Sequence, residues 1–225
     1  MNSTRRPAGP APGSHRYFAL LYTPARLREE LSILLALADE IGTDPAIAAD
    51  HSVAHARLQW WQHEAERFAR GAPEHPWLRS LLGDRPQAAA LDLRPLVEGA
   101  AVDLAARTLS RGESEASQRA LFAVTARVLI AADLEPSLQT AVSDLGAAVQ
   151  RLERDPGDAA ARADALMPLQ AISHERQPAL TPLLVWLALA ASGPRSASRL
   201  RTTLADNFVA WSAARRAARG RFNLS

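Results

Sequence analysis

Apolar residues recur every three or four positions in one segment after another, and nowhere do four or more alternating β-branched residues lie between turn signals. That period is the signature of helices with one buried face, and it leaves no room for a sheet. Leu27, Leu31, Leu34, Ala38 and Ile41 mark such a face over residues 24–41, with Thr23 as its expected N-cap and Pro24 at the first helical position. Gly42 and Pro45 end or bend that helix. Ala54, Leu58, Trp61, Ala65 and Phe68 repeat the pattern over residues 48–70, which Gly71 and Pro73 close.

Further along, a short helix is expected near residues 77–82. Leu93, Val97, Ala100 and Leu104 mark the next, closed by Gly112. Leu121, Val124, Val128 and Ala131 mark another, and Leu138, Val142, Leu145, Val149 and Leu152 a longer one. Asp155-Pro156-Gly157-Asp158 stops it in what reads as a type II turn. Helices around residues 159–171, 179–191 and 195–218 follow. The expectation is an all-α bundle of eight to ten helices in a single domain over residues 15–225. Residues 1–14, rich in Pro and Gly with no hydrophobic run, read as a disordered leader.

Composition removes several kinds of chemistry. The chain has 225 residues, no cysteine, and only arginine among its 26 basic residues. Disulfides, thiolate metal sites, Schiff-base lysines and the P-loop lysine are therefore excluded. The net charge is +2, and no basic stripe with interleaved aromatics points to nucleic acid. No stretch reaches the ~18–20 apolar residues of a membrane span. The expected location is the cytoplasm. Neither GxSxG nor GxGxxG occurs.

Several groups have both a chemical and a structural reading. Asp39, Glu40 and Asp44 gather at the end of the first helix, where carboxylates oppose the helix dipole. Glu40 and Asp44, at i and i+4, suit Mg²⁺ if the helix continues past Gly42, and otherwise form a solvated helix end. His51, His55 and His63 follow one row without an obvious third ligand, so they read as a partly exposed face. Trp61 falls on the apolar stripe, while Trp60 lies beside it and either packs or lines a pocket. Arg215, Arg216, Arg219 and Arg221 complement a helix C-terminus, or else meet an anionic lipid or diphosphate.

Four segments in order resemble the squalene/phytoene synthase family. RYFALLYTPARLREELSILLALADEI is similar to its opening, and ARLQWWQHEAERFARGAPEHPWLRSLL to the segment after the first aspartate motif. LRPLVEGAAVDLA resembles the family's Glu-Gly and Asp-Leu stretch, and DLGAAVQRLERDPGDAA the helix carrying the second aspartate motif. Together they cover residues 16 to about 160. The resemblance implies an isoprenoid-synthase-like bundle around an apolar cavity, with two aspartate motifs holding Mg²⁺ against a prenyl diphosphate. Carried over onto this chain, it nominates Asp39, Glu40, Asp44, Asp155 and Asp158 for metal or diphosphate. Arg57, Trp60, Trp61, Glu98 and Asp103 become pocket residues.

The chain departs from the pattern where that chemistry resides. Thr43 stands where the second aspartate of the first motif is expected, and Pro156-Gly157 interrupts the second motif. A proline inside a helix costs about 3 kcal/mol and removes a donor. No catalytic residue is assigned. The expectation is a degenerate, non-catalytic member that binds an isoprenoid-like lipid or a protein partner, as assembly-factor relatives do, with peripheral membrane contact and no nucleic acid. The alternatives are a Mg²⁺-dependent prenyltransferase joining prenyl diphosphates head to head, and a lipid carrier without chemistry.

Overall fold

The computed structural model describes residues 7–42, 51–84, 91–108, 114–192 and 199–224. Among them the chain forms ten α-helices and no strand. These are α1 (His15–Leu21), α2 (Arg28–Ile41), α3 (His51–Ala69), α4 (Pro76–Asp84), α5 (Arg94–Thr108), α6 (Ala116–Ile130), α7 (Pro136–Arg154), α8 (Ala159–Ala171), α9 (Thr181–Ala191) and α10 (Arg199–Ala217). No helix among the described residues is long and apolar enough to cross a membrane.

Most positions of the expected stripes are buried, while Ala38 and Leu138 are half-buried. Leu27, Leu31, Leu34 and Ile41 face the core from the first segment, as do Ala54, Leu58, Trp61, Ala65 and Phe68 from α3. Helix α6 lies between α5 and α7, while α7 also meets α8 and α9. Helix α9, buried from Thr181 to Ala190, touches α1, α7 and α10. Two glycines permit close approach between helices. A Cβ on Gly99 would lie 2.8 Å from the Ala116 carbonyl oxygen, and one on Gly146 2.5 Å from that of Gln118. Any side chain at either position would push α6 away.

Three local expectations are corrected. Thr23 does not cap a helix beginning at residue 24. Its hydroxyl donates to the Ala19 carbonyl at 2.8 Å, closing a first helix, α1, that the apolar spacing did not announce. Ser14 caps α1, accepting from the Tyr17 N–H at 3.1 Å, and a 3₁₀ turn over Ala25–Leu27 separates it from α2. Ala131 does not continue α6: at φ 56° it is the left-handed residue that ends it, a position where glycine is the unstrained choice. The Asp155–Asp158 turn is closed by the Asp158 N–H on the Asp155 carbonyl at 3.0 Å, yet Gly157 has no positive φ. The turn is therefore not type II, which demands positive φ at that position.

The RLQWW…GAPEHP segment folds around a group that periodicity cannot reveal. Glu64 on α3 is fully buried, and its carboxylate accepts from the backbone N–H groups of Glu74 and His75 at 2.9 and 2.7 Å. Arg67 donates to its other oxygen at 2.8 Å. This buried charge is compensated on both oxygens, as burial requires. It fixes the return of the chain after Gly71, whose φ of 77° reverses direction. His75 is thereby set against Trp60, Trp61 and Trp77, with ring centroids 5.2–6.3 Å apart.

Candidate functional site

An open cleft of about 610 Å³ lies where α1, α2, α3, α5, α6 and α7 converge. Its lining comprises Arg16, Ala38, Asp39, Gly42, Arg57, Ala100, Asp103, Arg107, Ser117, Gln118, Gln150 and Glu153. Only Ala38, Gly42 and Ala100 in that set lack a polar side chain, so the walls suit a charged or hydrogen-bonding group. The expected apolar lining is not what this cleft presents, although α2 and α3 both contribute to its wall.

One side is a network tying four helices together. Glu153 on α7 stands with an Oε1 2.7 Å from His15 Nδ1 on α1 and accepts from the Trp186 indole N–H on α9, also at 2.7 Å. Burial pushes the Glu153 carboxyl up, but hydrogen bonds from His15 and Trp186, with the positive charge of Arg16 nearby, leave it below the usual range. Arg16 lies over the Trp186 ring, 5.4 Å from its centroid, and pairs with Asp39 on α2. Trp186 is 1% exposed and packs against Phe122 at 5.2 Å between centroids.

The opposite side joins α3, α5 and α6. Asp103 accepts from the backbone N–H groups of Ala116 and Ser117 at 3.0 and 3.1 Å, capping α6 from the neighbouring helix. Arg57 donates to the Glu40 carbonyl oxygen, bridging α3 to the end of α2. Gln150 donates to the Ser114 carbonyl at 3.3 Å. Its Oε1 and the Gln118 Nε2, on two residues of the cleft wall, are buried without a hydrogen-bond partner in the structure. Leaving such groups unmatched costs about 1–3 kcal/mol each, which a polar ligand atom or water would offset.

The nominated residues thus divide. Asp39, Arg57 and Asp103 meet at the cleft, whereas Trp60, Trp61 and Glu98 are not in its lining. Trp61 is core, while Trp60 and Glu98 are exposed. Glu40 is near His75, with Oε2 3.5 Å from Nε2. Asp44 lies outside the described residues. Asp155 and Asp158 shape the turn after α7: Asp155 accepts from the Gly157 N–H at 2.9 Å, and Asp158 caps α8 by accepting from Ala161 at 2.8 Å. His55 and His63 are exposed. Sequence reading missed His15, Arg16, Gln118, Gln150 and Glu153, whose only shared signal is polarity on otherwise apolar helices.

Among the described residues, the donor set of the cleft does not fit Mg²⁺. That ion prefers octahedral oxygen ligands offered by free carboxylates. Asp39 is paired with Arg16, Asp103 with two backbone donors, and Glu153 with His15 and Trp186. Among the described residues, no three acidic or histidine side chains group closely enough to hold a metal. No family model, no curated protein and no solved structure matches this chain.

Proposed function

We propose that this chain is a degenerate squalene/phytoene-synthase-like domain that binds the polar head of an isoprenoid-like lipid without condensing it. The four ordered sequence segments support the kinship. The observation that carries the loss of catalysis is the employment of the carboxylates. Asp39, Asp103, Asp155 and Asp158 each accept from protein donors that serve packing, capping or a turn. Charge stabilisation in a leaving diphosphate needs groups preorganised toward the substrate, not toward the fold.

Binding is supported by what the same cleft offers. Arg16, Arg57 and Arg107 line it, and guanidinium groups match phosphate oxygens in geometry as well as charge. Ser117, Gln118 and Gln150 add hydrogen-bonding side chains to the wall. The prenyl tail would leave through the open side, since few wall residues are apolar. Titration with a fluorescent farnesyl diphosphate analogue tests this reading. Saturable binding that weakens about tenfold or more in Arg57→Gln is expected, the loss of one charge-assisted hydrogen bond being worth ~1.5–3 kcal/mol. Absence of saturable binding would leave a protein partner as the domain's ligand.

A further inference from the structure

Helix α10 is built inside out. Among its described side chains the buried ones are Ala210, Ala213, Ala214 and Ala217, with Asp206, while Leu204, Phe208 and Trp211 are 71%, 67% and 49% exposed. Positions 204, 208, 211 and 215 are spaced four, three and four apart, so they form one outward row. Arg215 extends that row and stacks on Trp211, 5.3 Å from its ring centroid. Phe208 and Trp211 lie 6.1 Å apart, making a continuous aromatic surface. Three large exposed apolar side chains in one row are unusual on a protein that meets only water.

The charge around the row says what covers it. Arg215, Arg219 and Arg221 are exposed, and the one carboxylate between residues 204 and 224, Asp206, is on the buried face. A second copy docking with parallel helices would bring arginines against arginines, and one docking antiparallel would set Arg215 against Leu204 with no carboxylate on the row to meet it. A bilayer with anionic head groups instead meets both parts of the pattern. Leu, Phe and Trp enter the head-group region, and the guanidinium groups reach phosphates beside them. We propose that the Leu204–Phe208–Trp211–Arg215 row of α10 docks the domain on an anionic membrane surface. The alanine face stays packed on α9, so docking needs no opening of the bundle. This surface is independent of the cleft.

The test uses the full chain and vesicles. Co-sedimentation is measured with phosphatidylcholine vesicles and with vesicles containing about 30 mol % phosphatidylglycerol, at low and high salt. Expected is binding to the anionic vesicles that falls at least about tenfold in Phe208→Ser/Trp211→Ser, and also falls in Arg215→Gln/Arg219→Gln and at high salt. Both variants should melt with the parent, because the altered side chains are exposed. Equal sedimentation of parent and variants, or none with anionic vesicles, would overturn the proposal. So would a dimer, seen by analytical ultracentrifugation, that the aromatic variant dissociates, since that assigns the row to a second copy.

Discussion

Helices α9 and α10 pack against each other and use apolar residues in opposite ways. Helix α9 is hydrophobic all round and is buried almost to its ends, with Trp186 fully enclosed. Among its described side chains, helix α10 buries alanines and Asp206 and turns its own tryptophan outward. The difference teaches that residue type does not decide burial here. Neighbours do: α9 is enclosed by α1, α7 and α10, whereas α10 has α9 on one side. Close approach along the α9–α10 contact suits alanine, which leaves the large residues of α10 to the surface.

The largest expected effect is at Trp186. Trp186→Ala removes a buried ring, its contact with Phe122 and the donor to Glu153, and should destabilise by about 3–5 kcal/mol in chemical denaturation. Trp211→Ala, the same change on the neighbouring helix, should stay within about 0.5 kcal/mol. Comparable losses at both positions would break the contrast. Between these lies Gly146→Ala, whose new Cβ meets the Gln118 carbonyl oxygen and should cost about 1–3 kcal/mol. Asp103→Ala removes the acceptor for two N–H groups at the start of α6, with an expected loss of about 0.5–2 kcal/mol.

Glu153 adds a pH dependence with a definite sign. Its folded carboxyl titrates below the ordinary range, so its carboxylate contributes stability above the unfolded value. That contribution is lost as pH falls through the folded value. Thermal melts across the acid range should show a steeper decline in the parent than in Glu153→Gln. Superimposable acid limbs would mean that the His15–Glu153–Trp186 network carries no such linkage.

Much of the fold could be read from spacing, because Leu31, Leu34 and Ile41, or Ala54, Leu58 and Trp61, repeat at the helical period and are buried. What spacing could not show was made by contacts between distant residues. Helix α1 is only seven residues long, too short for a full stripe, and owes its place to α9 and α2. His15 meets Glu153 across 138 positions, a pairing with no local trace. Nothing in the spacing marks Glu64, whose partners are the backbone N–H groups of residues ten and eleven positions on. At the site, Asp39 was legible as an acid at a helix end, whereas Arg57 and Asp103 were nominated only through the family resemblance. Trp60 and Glu98 were nominated by the same resemblance, and only the packing of α3 and α5 separates them from the cleft.

The proposal that the carboxylates of this domain serve its fold rather than a diphosphate is tested most directly by turnover. Purified protein is incubated with farnesyl or geranylgeranyl diphosphate and Mg²⁺, and pyrophosphate and hydrocarbon products are assayed. The expected result is no sustained product formation, with Asp39→Ala indistinguishable from the parent, because Asp39 is already committed to Arg16. Sustained release of pyrophosphate that disappears in Asp39→Ala would contradict this and establish a working prenyltransferase.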